Sequence, residues 1–532
     1  MNSRLRLWPL VLLWALLMAV SLASRTFVPI DETRYVTVAW EMWLRGDFLV
    51  PHLNGAPYAH KPPLLFWLYD LGWWLTGVND WWPRLVAPLF GLASLFVTAA
   101  LGRRLWPDQP ARGALAAWLL FGSLYWTGYT TVAMFDMLVV FFVLLGLWGL
   151  WRAGQGGRAG WVGLTLAIGL GILAKGPVIL LHLLPAALLG PWWSAHARGA
   201  PRRWYLSLAA ALTGGALIAL AWALPAAWRG GEQYAHDIFW GQTANRMVDS
   251  FAHKRPLWWY LPLLPLILWP WVWWPQVWRG LKTLAPGEPA LRFLIAMLAP
   301  AFVALCLISG KQVHYLLPLF PPLALLLARG LESARPSGTL WLAALLPLTL
   351  GLGLLALHLW PDLPAHLRSV DGRWGLVPLA AALALAGWRP RRIDTAVRGL
   401  TAASVALVIS IHGALRGPLA GPQDLRPIAK RIATLQAAGV PLAHESKYAG
   451  EYHFLGRLTK PLQVVYKGHL TRWALRHSQG YIIYYLRRNA TELQDCDRCF
   501  VQPYRGGQVA LIPADWYLAH LAPKEGRGRK KH

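Results

Sequence analysis

Two adjacent carboxylates, Asp31 and Glu32, stand where the first long apolar run of the chain ends, with Arg34 and Tyr35 just behind them. Further groups of the same kind recur at the edges of later apolar runs. Tyr58, His60 and Lys61 fall in Tyr58-Ala-His-Lys-Pro-Pro63, Asp136 opens a run in Met134-Phe-Asp-Met137, and Lys175 interrupts one in Leu173-Ala-Lys-Gly-Pro177. Lys311, His314 and Tyr315 lie in Gly310-Lys-Gln-Val-His-Tyr315, and Arg246 sits in a polar stretch between aromatic edges. Ionisable groups at or within apolar segments are costly and usually face a protein interior or a wet cavity. One such group is readily structural: Asp31 could cap a helix, with Glu32 favoured in its first turn by the helix dipole. Several of both signs point instead to an anion held by Lys, Arg and Tyr and worked on by a carboxylate.

The elements that must position these residues are apolar helices. The chain of 532 residues is 56% hydrophobic and 14% charged with 34 Trp, and its mean hydropathy is +0.38, which excludes an ordinary soluble domain. Runs long enough to cross a bilayer start near Trp8, Pro83, Leu115, Asp136, Trp161, Val178, Leu206, Leu257, Phe293, Leu316, Leu340, Leu376 and Leu400, giving about 13 expected spans. Basic residues collect in alternate connections, at Arg103 and Arg104, Arg152 and Arg158, Arg198 to Arg203, Arg279 and Lys282, Arg329 and Arg335, and the run ending at Arg392. Those connections are expected in the cytoplasm, so the candidate residues share the opposite, outer face. The net charge of +27 is dispersed over these loops, which argues against nucleic acid as a partner. An anionic lipid phosphate at the bilayer surface fits such a face, because the Trp-rich stretch over 31–82, read as short interfacial helices, offers an apolar groove for its tail. The first run read as a cleaved signal peptide is the alternative, but it is long for one and further spans follow.

The expected organisation is a polytopic α-helical membrane domain over 1–415 and a small α/β domain over 416–532 on the outer face. The second mixes a helical stretch, Asp424 to Ala437, with strand-like runs at Leu462–Tyr466, Tyr481–Tyr485 and Val509–Ile512. No internal repeat pairs the halves, which disfavours a transporter of inverted repeats. Cys306 lies in an apolar run, while Cys496 and Cys499 form a lone CxxC that reads as a local disulfide rather than half a zinc site.

At this point the residues resemble a family. Asp31-Glu-Thr-Arg-Tyr35, Gly46-Asp-Phe-Leu-Val-Pro-His-Leu-Asn-Gly55, Tyr58-Ala-His-Lys-Pro-Pro63 and Trp82-Pro-Arg-Leu85, with Ala174-Lys-Gly-Pro177 and Gly310-Lys-Gln-Val-His-Tyr315, look like the signature of bacterial lipid A aminoarabinose transferases and the related protein O-mannosyltransferases, membrane glycosyltransferases of the C superfamily. The resemblance implies Asp31 as catalytic carboxylate, with Glu32 and Arg34 beside it, and Lys61, Arg246 and Tyr315 on the donor phosphate. The family often carries Glu before the Lys-Pro-Pro where this chain has His60, so no cofactor is assigned and a divalent metal stays open, since His can also ligate zinc.

The chemistry agrees with the resemblance. Displacing a polyprenyl phosphate from an anomeric carbon develops a phosphate dianion and an oxocarbenium-like centre, which cations such as Lys61, Arg246 and Lys311 stabilise. His314 is grouped with them, and Asp136 with the carboxylates that could serve the sugar. The expected reaction is a single inverting displacement, Asp31 taking a proton from an acceptor hydroxyl or orienting an anionic acceptor. The expected acceptor is lipid A or a related envelope lipid; transfer to Ser or Thr of exported proteins and a lipid-linked sugar flippase are the alternatives. The expected setting is the bacterial inner membrane, as a monomer, with the site facing the periplasm. Reporter fusions near Gly413 and near Arg392 should then read outside and inside respectively; a common side would break the orientation.

Overall fold

In a computed structural model, residues 5–241, 254–332, 339–359, 369–417, 423–487, 493 and 495–522 are described. The chain separates into two compact units, residues 1–24 with 59–415, and residues 25–58 with 416–532. The later part of the second unit begins at Arg416. Residues 25–58, expected in the first domain, group instead with the C-terminal part of the chain.

The first unit is helical. Among the described residues, six helices are long and apolar enough to cross a membrane: Trp81–Leu105, Asp136–Gly154, Pro201–Gly230, Pro289–Leu307, Val313–Glu332 and Ile393–Ala414. Shorter apolar helices are Trp8–Ser24, Ala111–Gly122, Ala159–Lys175, Val178–Leu188, Leu257–Ile267, Trp341–Ala356 and Gly372–Gly387. Each expected start lies in or beside one of these. Leu206, Leu217, Leu224 and Trp228 of the helix Pro201–Gly230 are exposed, an apolar face that lipid can cover.

Two of these helices carry a buried ion pair of the unit. Asp136–Gly154 and Ala159–Lys175 run antiparallel and meet through glycine: a Cβ on Gly149 would lie 2.7 Å from the Gly160 carbonyl oxygen, and one on Gly160 would lie 2.4 Å from that of Gly149. Such close backbone approach is how helices associate where no hydrophobic force separates them from lipid. It brings the first turn of one helix, with Asp136, to the last turn of the other, with Lys175. Gly176, at φ +81°, ends the second helix just past that lysine.

The second unit is a mixed α/β structure with a helix and hairpin from early in the chain. Residues 25–58 supply the helix Asp31–Arg45 and a hairpin of β1 (His52–Leu53) and β2 (Ala56–Pro57). Its turn is Asn54-Gly55, both at positive φ, the pair favoured in two-residue hairpins. Glu41 secures the turn by accepting from the Asn54 and Gly55 N–H groups at 2.5 and 2.9 Å. Burial pushes the Glu41 carboxyl up, and these two bonds pull it back.

The rest of the unit is a five-stranded sheet, β3 (Leu442–Glu445), β4 (Gln463–Val465), β5 (Tyr481–Leu486), β6 (Phe500–Tyr504) and β7 (Gly507–Pro513), in the order β4-β3-β5-β7-β6. β4, β3 and β5 are parallel, while β5, β7 and β6 are antiparallel. Ile428 and Ile432 pack with Ile483 and Leu511 on one face; Leu470 and Trp473 pack with Ile482 and Ile512 on the other. Helices therefore cover both faces, and the central strand is apolar on both. The three expected strand runs became β4, β5 and β7. β3 was unrecognised because Leu-Ala-His-Glu is buried throughout and shows no alternation, and β6 because Pro503 breaks its pattern. Cys496 and Cys499 are joined as a disulfide.

The early helix docks on this sheet unit by named bonds. Thr37 Oγ1 donates to the Gly450 carbonyl at 2.8 Å, Trp40 Nε1 to that of Leu458 at 2.9 Å, and Asn54 exchanges two bonds with the Leu462 backbone at 2.8 and 2.9 Å. These partners are about 400 positions apart in sequence, so composition cannot announce them.

A buried polar cluster completes the unit. His444 Nε2 lies 2.9 Å from Tyr485 Oη, which contacts Tyr452 Oη at 2.8 Å, and Tyr448 Oη lies 2.7 Å from His453 Nδ1. Burial lowers both imidazoles from the ordinary 6.5 to about 4. The folded rings stay neutral while the unfolded chain takes up protons below 6.5, so stability is complete above that pH and is lost as pH falls from 6.5 towards 4. The loss amounts to about 3 kcal/mol per ring at most. Amide exchange of β3 and β5, corrected for its intrinsic pH dependence, should reveal weaker protection at pH 5 than at pH 7; a flat profile would contradict the buried neutral pair.

Candidate functional site

Each unit contributes one constellation of the expected residues. In the helical unit its centre is Asp136, 3% exposed at the start of its helix. Lys175 Nζ donates to Asp136 Oδ1 at 2.5 Å, and Tyr129 Oη donates to Oδ2 at 2.8 Å. His314 Nε2 lies 4.0 Å from Oδ1, and its ring stacks on Tyr129 with centroids 5.7 Å apart. The Lys175 ammonium also lies 5.3 Å from the centroid of the Tyr315 ring. The carboxylate sits at a helix N-terminus and the ammonium at a helix C-terminus, so both dipoles reinforce the pair.

The structure therefore joins Asp136, Lys175, His314 and Tyr315, residues from three separate stretches, and adds Tyr129, which sequence reasoning missed. Tyr129 ends the short helix Leu124–Tyr129 seven positions before Asp136, and its hydroxyl reaches the carboxylate across the connection between the two helices. Lys61 is half-buried with its ammonium 5.9 Å from the Phe135 ring centroid, and Phe135 packs edge-on to Phe66. His60 is exposed. Lys311 is buried, and its ammonium donates to the Ile308 and Arg255 carbonyls at 2.5 and 3.1 Å. It closes the end of the helix Pro289–Leu307, so its charge is engaged by backbone. Arg246 lies outside the described residues.

In the second unit the neighbouring carboxylates have different surroundings. Glu32 is 2% exposed; Arg25 reaches it with two bonds of 2.6 and 3.0 Å, and the Val28 N–H donates at 2.8 Å. It anchors the chain entering the helix Asp31–Arg45. Arg25, at the edge of the first apolar run, was not singled out from sequence. The side chain of Asp31 is 54% exposed, and its bond is from Arg34 at 3.2 Å. The N-cap residue of this helix is Ile30, without a side-chain cap bond, so Asp31 is not a cap. Arg34 Nε is buried without a hydrogen-bond partner. Tyr58 is buried in the same unit, its N–H donating to the Pro51 carbonyl at 2.8 Å. Neither Glu32 nor Asp136 is an unoccupied carboxylate: each already holds a cation of the protein.

Known proteins resemble this chain along most of its length. Residues 60–228 match the family model described as dolichyl-phosphate-mannose-protein mannosyltransferase. An undecaprenyl phosphate-alpha-4-amino-4-deoxy-L-arabinose arabinosyl transferase of Pseudomonas fluorescens is 30% identical over 443 residues, 80% of this chain and 76% of that protein. The chain belongs to this aminoarabinose transferase family. A second member, from Pseudomonas paraeruginosa, is 34% identical over 371 residues, 67% of this chain, and the match spans just under two thirds of that relative, 65% of its length. The crystal structure of ArnT from Cupriavidus metallidurans bound to undecaprenyl phosphate superimposes with a TM-score of 0.75 and 22% identity, covering 95% of this chain and 98% of that one. Its apo form gives 0.72 and 20%, so the transferase fold is shared along nearly the whole chain.

The ion pair at Asp136 is testable without substrate. Removing one partner of a buried pair strands the other charge and costs about 3 to 5 kcal/mol. Lys175→Met and Asp136→Asn should each lower the thermal midpoint in detergent, and the double variant should fall by clearly less than the sum of the two. Additive losses would mean that the two groups are not coupled.

Proposed function

We propose that this chain transfers 4-amino-4-deoxy-L-arabinose from undecaprenyl phosphate to lipid A or a closely related envelope lipid. The observation that carries the reading is the 30% identity over 76% of a relative named for that donor and sugar. In this reading the thirteen apolar helices all span the inner membrane, the C-terminal α/β part lies in the periplasm, and the protein acts as a monomer.

Asp31 is the reacting carboxylate. It is exposed, and Arg34 holds it at one oxygen, leaving the other for an acceptor. The acceptor oxygen attacks the anomeric carbon as the bond from that carbon to the donor phosphate breaks. The electron pair leaves with undecaprenyl phosphate, and a hydroxyl acceptor gives its proton to Asp31. An acceptor that is already a phosphate anion needs no proton, and Asp31 then offsets positive charge at the sugar. One displacement inverts the anomeric centre. Lys61, Arg246 and Tyr315 bind the donor phosphate, and the growing charge on the leaving group makes their hold strongest in the transition state. The Asp136–Lys175 pair acts as a positioning element for Tyr315, over whose ring the ammonium lies. Among the described residues no three His, Cys, Asp or Glu side chains gather as metal ligands, and no step is routed through a metal.

A protein acceptor is the second reading, favoured by the mannosyltransferase family match over residues 60–228. Mass spectrometry of lipid A from cells with and without the gene separates the two, since only the first predicts a mass shift on lipid A. Release of undecaprenyl phosphate by the purified protein in detergent, where nothing can be transported, distinguishes a transferase from a flippase. Asp31→Asn should fold and bind the donor yet turn it over at least about 100-fold more slowly, because Asn can neither take a proton nor offset charge. Near-normal turnover by that variant would remove Asp31 from the chemistry.

A further inference from the structure

The helix Asp136–Gly154 has a second charged end. Arg152 lies in its last turn, sixteen positions after Asp136 and so roughly 24 Å away along the axis. There the helical unit forms a cavity of about 750 Å³ whose wall includes Arg103, Arg104, Arg112 and Arg152. Its floor is aromatic: Trp106 and Trp151 line it and are nearly buried. Two of the guanidinium groups lie against tryptophan rings, one of those rings outside the lining. Arg112 lies 5.4 Å from the Trp106 centroid and Arg104 lies 4.6 Å from that of Trp148, while Trp151 Nε1 donates to the Arg104 carbonyl at 3.3 Å.

The acids of the cavity do not balance this charge. Glu288 is taken by Trp106 Nε1 and by Arg329 at 3.0 Å, and Arg112 is paired with Glu332. Asp108 stands exposed at the rim. Arg103, Arg104 and Arg152 make no ion pair with a carboxylate among the described residues. Arginines at the ends of apolar helices need no ligand to explain them singly. Three unpaired guanidinium groups from two separate helices, lining one cavity together with two tryptophans, form a binding arrangement for a phosphate group.

We propose that this cavity binds the phosphodiester headgroup of an anionic phospholipid, at the end of the helical unit opposite Asp136. The lipid source follows from position: the cavity lies where the apolar helices Trp81–Leu105 and Asp136–Gly154 end, where a bilayer crossed by those helices would place its headgroups, and its tryptophans suit the boundary between headgroup and acyl chain. The inference is independent of the transfer reaction and of the donor.

Native mass spectrometry of the full-length protein, titrated with phosphatidylglycerol or with phosphatidylcholine, tests it. The wild type should retain phosphatidylglycerol in preference, and Arg104→Gln with Arg152→Gln should weaken that binding about 25-fold, from about five-fold per arginine at a membrane surface. Both residues are exposed, and circular dichroism checks that the variant is folded. The charge-conserving pair Arg104→Lys with Arg152→Lys should recover most of the preference. Equal binding of the two lipids by the wild type, or an unchanged affinity in the Gln variant, overturns the proposal. Inorganic pyrophosphate binding at the cavity as tightly as phosphatidylglycerol also overturns it, by assigning the site to a free anion.

Discussion

A carboxylate and an ammonium 2.5 Å apart inside an apolar helix bundle are stable only if everything around them is arranged to suit them. For Asp136 and Lys175 that arrangement begins in the glycines. Gly149 and Gly160 let two helices approach backbone to backbone, so the N-terminus of one and the C-terminus of the other converge. The helix dipoles then favour the charges that sit there. Tyr129 satisfies the second carboxylate oxygen, and the rings of His314 and Tyr315 close round the pair. A bulkier residue at either glycine would separate the helices and leave each charge without its partner. The polar groups at this end of the unit are thus ordered by one ion pair, and the pair by two hydrogen atoms in place of side chains.

The second unit solves a different problem with the same residue types. Glu32, Glu41 and Asp31 lie on one helix, yet only Asp31 faces water. Glu32 is consumed by Arg25 and fixes how the chain enters the helix; Glu41 is consumed by two backbone N–H groups and fixes the Asn-Gly turn. Both are buried acids whose cost is met by several bonds each. With its neighbours anchored, the exposed carboxylate is presented from a rigid element rather than a loop.

Membership of the aminoarabinose transferase family accounts for the spread of polar groups among apolar helices, which a purely structural membrane protein has no reason to carry. Hydrogen bonding changes the standing of individual residues. Lys311 resembles a phosphate ligand in sequence, but its ammonium holds the carbonyls at the end of a helix. Glu32 resembles a catalytic partner of Asp31, but it is a structural anchor. Residue type and motif identify the neighbourhood of a site, while hydrogen-bond partners decide which members are committed elsewhere.

The helical class of the chain, the positions of its apolar helices and the strands at Gln463–Val465, Tyr481–Leu486 and Gly507–Pro513 were legible in the sequence. Hydropathy and periodicity are local properties, and they survive folding because lipid and a half-buried sheet each impose a local pattern. The ionisable residues gathered round Asp136 were legible for the same reason: a charge at the lip of an apolar run is conspicuous. Tertiary structure alone decided the rest. It paired Asp136 with Lys175 rather than with any other cation, drew in Tyr129 and Arg25, and joined residues 25–58 to a sheet about 400 positions later. It also made Asp31 exposed and Glu32 buried. Those outcomes depend on which backbones approach which, through Gly149 and Gly160 in one unit and through Thr37, Trp40 and Asn54 in the other. Contacts between distant segments leave no periodic trace in either segment, so only the folded chain can specify them.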